Sequence, residues 1–422
     1  MQTNHAANYA NELLSSLSRS ERVDQLSDHP AIAYKRSGLL KTTGLVLPSP
    51  LAAHADGALM ALKAIAGDKP GLPVNGSLLL GERARLRRTM RKGRMCAGGY
   101  GRLLDSFDGR IALNLVRDDD WDLVPAWLED YVTDWNGIVA KVGGINTDYL
   151  VARAAEIGLA VAKEELPDRP DGWFTSQTFE KAKPEKTPLI ADLSGLWAGP
   201  LASSLLMRLG ASVIKVEGPN RPDGMRNGHA GFYKLINAGK SCLAFDFKSD
   251  AGLAGLKDLL ERADIVIEAS RPRAFEQLGI VAEDYTIRKP GKVWARLTAY
   301  GRDANRIGFG DDIAISAGTS AIMNAAHGKP CFVGDAIADP VNGLHLALAI
   351  WARYQQGGGA VIDMSMRDTL RYALGDLGDL KSTAEEWSDI AGADISPLYP
   401  MRRTSRRVHE LGEDNPFILR GV

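Results

Sequence analysis

The stretch from Leu189 to Glu217, LIADLSGLWAGPLASSLLMRLGASVIKVE, leaves few folds open. An apolar strand, Leu189 to Leu193, runs into a loop with Gly195 and Gly199. A helix then begins near Pro200, with Leu201, Leu205, Leu206 and Leu209 at helical spacing. Gly210 offers a C-terminal stop, and a second strand, Ser212 to Val216, ends on the acid Glu217. Such a strand-helix-strand unit opens a nucleotide-type α/β sheet, in which ligands bind beyond the carboxyl ends of the strands. The unit starts almost in the middle of the 422 residues, so the residues before it need their own explanation.

A chain of this length is expected to hold two or three domains with buried cores. A net charge of -1 argues against nucleic acid as a partner, because neutralising several phosphates takes a basic face. It leaves room for a local basic cluster holding one phosphorylated ligand. Cys96, Cys242 and Cys331 are far apart without a CxxC pair, and the histidines show no HxxxH or HExxH spacing, so neither a disulfide frame nor a metal site is expected. No apolar run reaches the roughly 18 to 20 residues that cross a bilayer, and MQTNHAANYANELL lacks a signal-peptide core. The expectation is a cytoplasmic protein without a membrane partner.

Taken in order, Met1 to about Pro30 suggests one amphipathic helix, and residues 37–66 a loop leading into an Ala/Leu-rich helix. The basic run Arg83 to Arg94 reads as a solvated helix face rather than a phosphate site. Leu103 to Val116 reads as a hairpin around Asp108-Gly109, followed by a Trp-bearing helix and a helical stretch over 147–164. Pro167 to Lys186 reads as a linker. Beyond it, Lys234 to Asp246 reads as a loop and strand, Gly252 to Arg262 as a helix, 263–268 and 293–300 as strands, 340–355 as a long apolar helix, and Ala360 to Met366 as a last strand. The pattern predicts an α/β protein with a Rossmann-like, doubly wound, mainly parallel sheet over 188–375. Residues 1–69 form N-terminal helices, 70–166 a smaller α+β domain, 167–187 the linker and 376–422 a wrapping segment. One faint echo is present: with Gly57 on Gly343, Ala52, Ala61, Leu62 and Ala66 fall on Ala338, Ala347, Leu348 and Ala352.

The turn Gly195-Leu196-Trp197-Ala198-Gly199-Pro200 makes a poor pyrophosphate cradle, although Glu217 sits at a suitable distance for a ribose. An NAD-dependent oxidoreductase is therefore the weaker alternative.

The segments DLSGLWAGPLASSLLMRLGASVIKVEGP, NAGKSCLAFDFKSDAG, ADIVIEASRPRAFEQLGI and ADPVNGLHLALAIWARYQQGGGAVIDMSM, in this order, resemble the class III CoA-transferases, the family of formyl-CoA and carnitine CoA-transferases. The likeness covers about 188–370, and the terminal LGEDNPFIL resembles that family's closing helix. It implies a CoA-transferase with CoA as carried substrate and no further cofactor, an acyl-CoA donor, a carboxylic acid acceptor, and a homodimer of interlocked chains. The family's nucleophilic aspartate falls on Asp339. Asp339-Pro340 by itself reads as an N-cap with proline at the first helical position, where the helix dipole favours an ionised carboxylate.

Further positions follow from the resemblance alone. Leu196 and Trp197 fall beside the thioester, and Lys240 and Tyr300 at positions that contribute to CoA binding. Gly218 stands where the family has an arginine and Ala269-Ser270 where it has an Asn-Phe pair, so Arg271 and Arg273 are candidates to replace that charge, and a catalytically silent CoA-binding homologue is a further alternative. Racemases of the same fold need a histidine where this chain has Asp311. The family's small domain normally follows the AVIDMSM-like strand, but about fifty residues remain there, and 76–165 resemble the missing part. A permuted or half-duplicated transferase is expected, with 37–66 a worn copy of the Asp339 segment and Ala53 at the nucleophile's place.

Overall fold

The computed structural model describes residues 1–67, 69, 71–90, 93–271 and 273–418. Two short strands, β1 (Gln2–Thr3) and β2 (Ser27–Asp28), pair antiparallel on either side of α1 (His5–Ser16). The single helix expected up to Pro30 ends early because Ser18 turns left-handed, at φ 55°. Helices α2 (Pro30–Ser37), α3 (Leu39–Thr43), α4 (Leu51–Ala66) and α5 (Ser77–Arg87) follow. α4 is buried along most of its length, and a Cβ on Gly57 would stand 2.4 Å from Ala6 O, so glycine is what lets α1 and α4 cross closely.

The hairpin appears as expected, with β3 (Gly101–Asp105) antiparallel to β4 (Arg110–Asn114). Helices α6 (Asp120–Leu128), α7 (Trp135–Val142) and α8 (Thr147–Ile157) cover it. The helix expected to reach residue 164 instead stops at Gly158, at φ 79°, and β5 (Ala160–Lys163) joins β4. Leu113, Trp127, Ile138 and Leu150 form a core of their own. The other face of the hairpin packs Leu103, Ala112 and Ala162 on Ile315 and Phe332, so this layer leans on the large sheet's helices rather than standing apart.

The stretch read as a linker contributes β6 (Thr175–Thr178), which pairs antiparallel with the last strand and closes one edge of the large sheet. In chain order that sheet adds β7 (Leu189–Leu193), α9 (Ala198–Arg208), β8 (Ser212–Glu217), α10 (Ala230–Asn237), β9 (Ser241–Ala244), α11 (Asp250–Arg262), β10 (Ile265–Glu268), α12 (Ala282–Arg288) and β11 (Val293–Thr298). Helices α13 (Gly310–Ser316), α14 (Thr319–His327) and α15 (Ala338–Gln355) precede β12 (Ala360–Ser365). Lys234 to Asn237, expected as loop, is the end of α10, whose first turn is capped by His229.

The strand order is β6-β12-β11-β10-β7-β8-β9, parallel except for β6. The order reverses between β7 and β10, and chain connections leave in opposite directions there. One face is covered by α9 and α15 and the other by α11 and α12, which explains why Ile190 and Ile267 lie in one apolar cluster and Ala191 and Val266 in the other. α16 (Met366–Leu374) and α17 (Leu380–Ala393) follow, and the tail ends in α18 (Asn415–Ile418). Leu419, the last residue of the LGEDNPFIL motif, lies outside the described residues. Before it, Asp414 Oδ2 and Asn415 Oδ1 accept from Cys242 N at 2.7 Å and Ala244 N at 2.9 Å, satisfying the open edge of β9. Among the described residues no helix is long and apolar enough to cross a membrane.

Helices α9 and α15 touch at Gly343, where a Cβ would meet Ala198 O at 2.8 Å and Leu201 Cβ at 3.0 Å. Gly343→Ala must push the two helices apart, and a loss of about 1–3 kcal/mol is expected, read as a fall of a few degrees in Tm. An unchanged Tm would show that the crossing tolerates a side chain.

Candidate active site

The loop leaving β7 is held by charges buried beneath it. Lys215 Nζ lies 2.8 Å from Asp223 Oδ2 and donates to Ser194 O at 3.1 Å, while Asp223 Oδ1 accepts from Leu196 N at 3.0 Å. This frame keeps Leu196 in the left-handed region, at φ 61°, which a branched side chain avoids unless its surroundings hold it there. The chain then turns into α9. Trp197 is buried, its ring edge-on to Phe232 at 4.9 Å.

Asp339 stands opposite, in the first turn of α15. The helix begins at Ala338, so Asp339 is its second residue and not the cap expected from Asp-Pro. Asp339 is partly exposed, and the backbone N–H of Ala198 at the start of α9 is near enough to favour its ionised form. Gly310 backs it so closely that a Cβ there would lie 1.9 Å from Asp339 Oδ2. Ala336, at φ 48°, is a second strained residue beside the same carboxylate.

Two further acids surround it. Asp311 Oδ1 accepts from Ala336 N at 2.8 Å, and Asp335 takes an ion pair from Arg83, whose Nε donates to Oδ2 at 2.8 Å. The Arg83 guanidinium also lies over the Trp197 ring at 4.5 Å. Burial pushes the Asp339 carboxyl up to about 7, Arg83 and the Ala198 N–H oppose the rise, and Asp311 and Asp335 add to it. Burial likewise raises Asp311 to about 6. The helix dipole was expected to keep Asp339 fully ionised; desolvation and like charge outweigh it, since a helix terminus contributes at most about 2 kcal/mol.

The residues expected to bind CoA are spread around this centre. Leu196 and Trp197 share the loop beside Asp339. Lys240 is enclosed, its ammonium bonded to Asp192 Oδ2 at 3.0 Å and Pro200 O at 2.9 Å, where it braces the first turns of α9. Tyr300 is buried behind the next acid along α13, Asp312, and lies under the Arg306 guanidinium at 4.0 Å. Arg271 follows β10 and reaches Gly158 of the smaller layer; like charge from Arg117 and Arg221 adds to burial in lowering its pKa. Arg273 lies two residues on, where its carbonyl accepts from Gln277 N.

Arg83, Gly310 and Asp311 were missed as site residues. The solvated-face reading holds for Arg87 and Arg88, which are exposed, and fails for Arg83; Arg91 and Lys92 lie outside the described residues. The signal was helical phase: Arg83 shares a face with Leu79 and Leu80, three and four residues earlier, whereas Arg87 and Arg88 follow the last apolar turn.

Residues 189–378 match the family model for CoA-transferase family III. The probable fatty acyl-CoA transferase Rv3272 of Mycobacterium tuberculosis is 32% identical over 206 residues, covering 45% of this chain and 52% of the relative. The succinate–glutarate CoA-transferase of Agrobacterium fabrum is 29% identical over 199 residues, 42% of this chain and 50% of its own. The acetyl-CoA:oxalate CoA-transferase of Acetobacter aceti is 28% identical over 251 residues, 55% of this chain and 61% of its own. The chain thus spans about half the length of the curated relatives it matches. The matched segment contains Trp197, Asp311 and Asp339, and Arg83 lies outside it.

Asp339 carries an expectation that needs no ligand. A carboxyl whose pKa rises from 3.8 to about 7 on folding contributes stability below pH 4 that is lost as pH climbs through 7. Asp339→Asn keeps the acceptor for Ala198 and cannot ionise, so it should match wild type near pH 4 and exceed it at pH 8 by on the order of 2 kcal/mol. Thermal melts of both proteins across this range check it; a constant difference would contradict the raised pKa.

Proposed function

We propose, from the match of residues 189–378 to CoA-transferase family III, that this chain moves CoA from an acyl-CoA donor to a carboxylic acid through Asp339. The observation that carries the reading is a partly exposed aspartate at a helix start, with the Ala198 N–H near it and a buried indole beside it. Asp339 attacks the donor thioester carbonyl, the C–S bond breaks, and an acyl-aspartyl anhydride forms with release of CoA thiolate. The thiolate attacks the aspartyl carbonyl, giving an aspartyl-CoA thioester and freeing the donor acid. The acceptor carboxylate then displaces CoA thiolate from Asp339, and the thiolate attacks the acceptor's carbonyl, regenerating the aspartate. Backbone N–H groups at the starts of α9 and α15 are the donors available to each tetrahedral oxyanion.

The strand order, with its reversal at β7 and β10, supports a Rossmann-like reading of the large sheet, and the closeness of Asp339 to Ala198, just after the carboxyl end of β7, agrees with the side on which such sheets bind ligands. Arg271, with Arg117 and Arg221 near it, supports an anion site for the CoA nucleotide in place of the contacts absent at Gly218 and Ala269-Ser270. A homodimer, as the family implies, belongs to the same proposal. The NAD alternative is weakened further by Gly199, where a Cβ would lie 2.2 Å from Ser194 Oγ: this glycine serves the loop's own packing.

Incubation with a panel of acyl-CoAs and hydroxylamine should trap a hydroxamate on Asp339, visible by mass spectrometry, and CoA should exchange into added carboxylic acids. Absence of both across the panel would favour the silent CoA-binding homologue. The rate of trapping should fall about tenfold per pH unit below 7, because the protonated carboxyl is not a nucleophile. Gly310→Ala should lower trapping at least 100-fold by displacing the Asp339 carboxylate; normal trapping in that variant would mean the reacting carboxylate lies elsewhere.

A further inference from the structure

The helices before residue 90 correspond, element by element, to those that carry the nucleophile. Gly57 of α4 abuts Ala6 O in α1, and Gly343 of α15 abuts Ala198 O in α9. In the register these contacts set, Ala6, Ala10, Leu13, Leu14 and Leu17 fall on Ala198, Ala202, Leu205, Leu206 and Leu209. The next residue is left-handed in both, Ser18 at φ 55° and Gly210 at φ 110°. α2 and α3 are joined by Gly38 at φ 100°, and α13 and α14 by Gly318 at φ 103°. The residue before each crossing glycine binds the start of the following helix: Asp56 Oδ1 accepts from Ser77 N at 2.7 Å in α5, and Asn342 Nδ2 donates to Met366 O at 3.0 Å in α16. The two sets also meet reciprocally, with α4 on α15, α5 reaching α15 and α16 reaching α4, the pattern of an isologous interface.

The N-terminal set has no nucleophile. Gly310, Asp311 and Asp339 correspond to Pro30, Ala31 and Ala53. What it does contribute to the site is Arg83, from α5, paired with Asp335 and stacked on Trp197. Among the described residues, the charged groups that act most on Asp339 are Arg83 from α5, Asp311 from α13 and Asp335 from the segment before α15, with Arg83 the cation among these three; α9 offers the backbone N–H of Ala198.

We propose that the chain carries two copies of one helical shell facing each other, and that the N-terminal copy serves to place Arg83, held by Asp335 and Trp197, as a positioning residue that sets the charge of the Asp339 carboxylate. The proposal rests on the CoA-transfer reading of Asp339. It has one chain supply both the carboxylate and the cation that acts on it.

Arg83→Met and Arg83→Gln remove the charge, and Arg83→Lys keeps it while losing the two-pronged grip on Asp335. Each is made in wild-type and Asp339→Asn backgrounds. The difference in Tm between the two backgrounds, followed against pH, reports the Asp339 ionisation without any substrate. Its midpoint should move up by about one pH unit or more in the neutral variants and by much less in Arg83→Lys, and the pH profile of hydroxamate trapping should move with it. If either neutral variant folds and its midpoint stays at the wild-type value, the proposal is overturned, whether or not an adduct forms. A shifted midpoint with no adduct in any protein supports Arg83 as the residue that sets the Asp339 charge and removes the CoA-transfer reading instead.

Discussion

The ion pair between Arg83 and Asp335 ties the first ninety residues to the start of α15, and the arrangement of the site depends on it. Asp335 is fully buried, so its charge needs a partner, and the partner comes from a helix more than 250 residues away in sequence. Removing either member leaves a charge in a poorly solvated place, which is far more damaging than the pair is stabilising. The guanidinium stacked on Trp197 also closes the loop after β7 from above, while Lys215 and Asp223 hold it from below. That loop therefore has little freedom, which suits the oxyanion-donor role proposed for the backbone N–H groups that follow it.

Energetically the site is a burden on the fold. Three acids stand close together, two of them with pKa values raised by burial, and two non-glycine residues, Leu196 and Ala336, are held at positive φ beside them. Residues in such conformations cost of order 1–3 kcal/mol each. The stabilising counterweight is the apolar cluster between α4, α9 and α15, in which glycines at 57 and 343 permit helix crossings at backbone contact. Helices α9 and α15 both begin at the site and cross at Gly343, so this packing bears directly on the strained residues.

The parallel part of the large sheet was legible in the sequence because its strands are mostly short apolar runs and its covering helices have a clear period. Parallel strands buried on both faces leave that signature. The surrounding motif singles out Asp339 as a candidate, but its charge state is not in the sequence: the helix dipole can be read from Asp-Pro, whereas desolvation depends on Gly310 and Asp311 arriving from elsewhere in the chain. β6 was hidden because an edge strand rich in Thr and Ser has no apolar period. Arg83 was hidden inside a run of identical charges, where composition points outward and only the phase against Leu79 and Leu80 points inward.

The three-stranded layer precedes the large sheet in the chain and still packs against that sheet's helices. Its second face, formed by Leu103, Ala112 and Ala162, covers Ile315 on α13, and Asn114 at the end of β4 donates to Asp312 Oδ1 at 3.0 Å. Asp312 is buried with burial raising its pKa to about 7, so this amide is one of the few groups that steady it. α13 is the helix that brings Gly310 and Asp311 against Asp339. A layer encoded before the sheet can seat α13 as well as one encoded after it, because what the site requires is contact with that helix, and the order in which the chain supplies the layer leaves that contact unchanged.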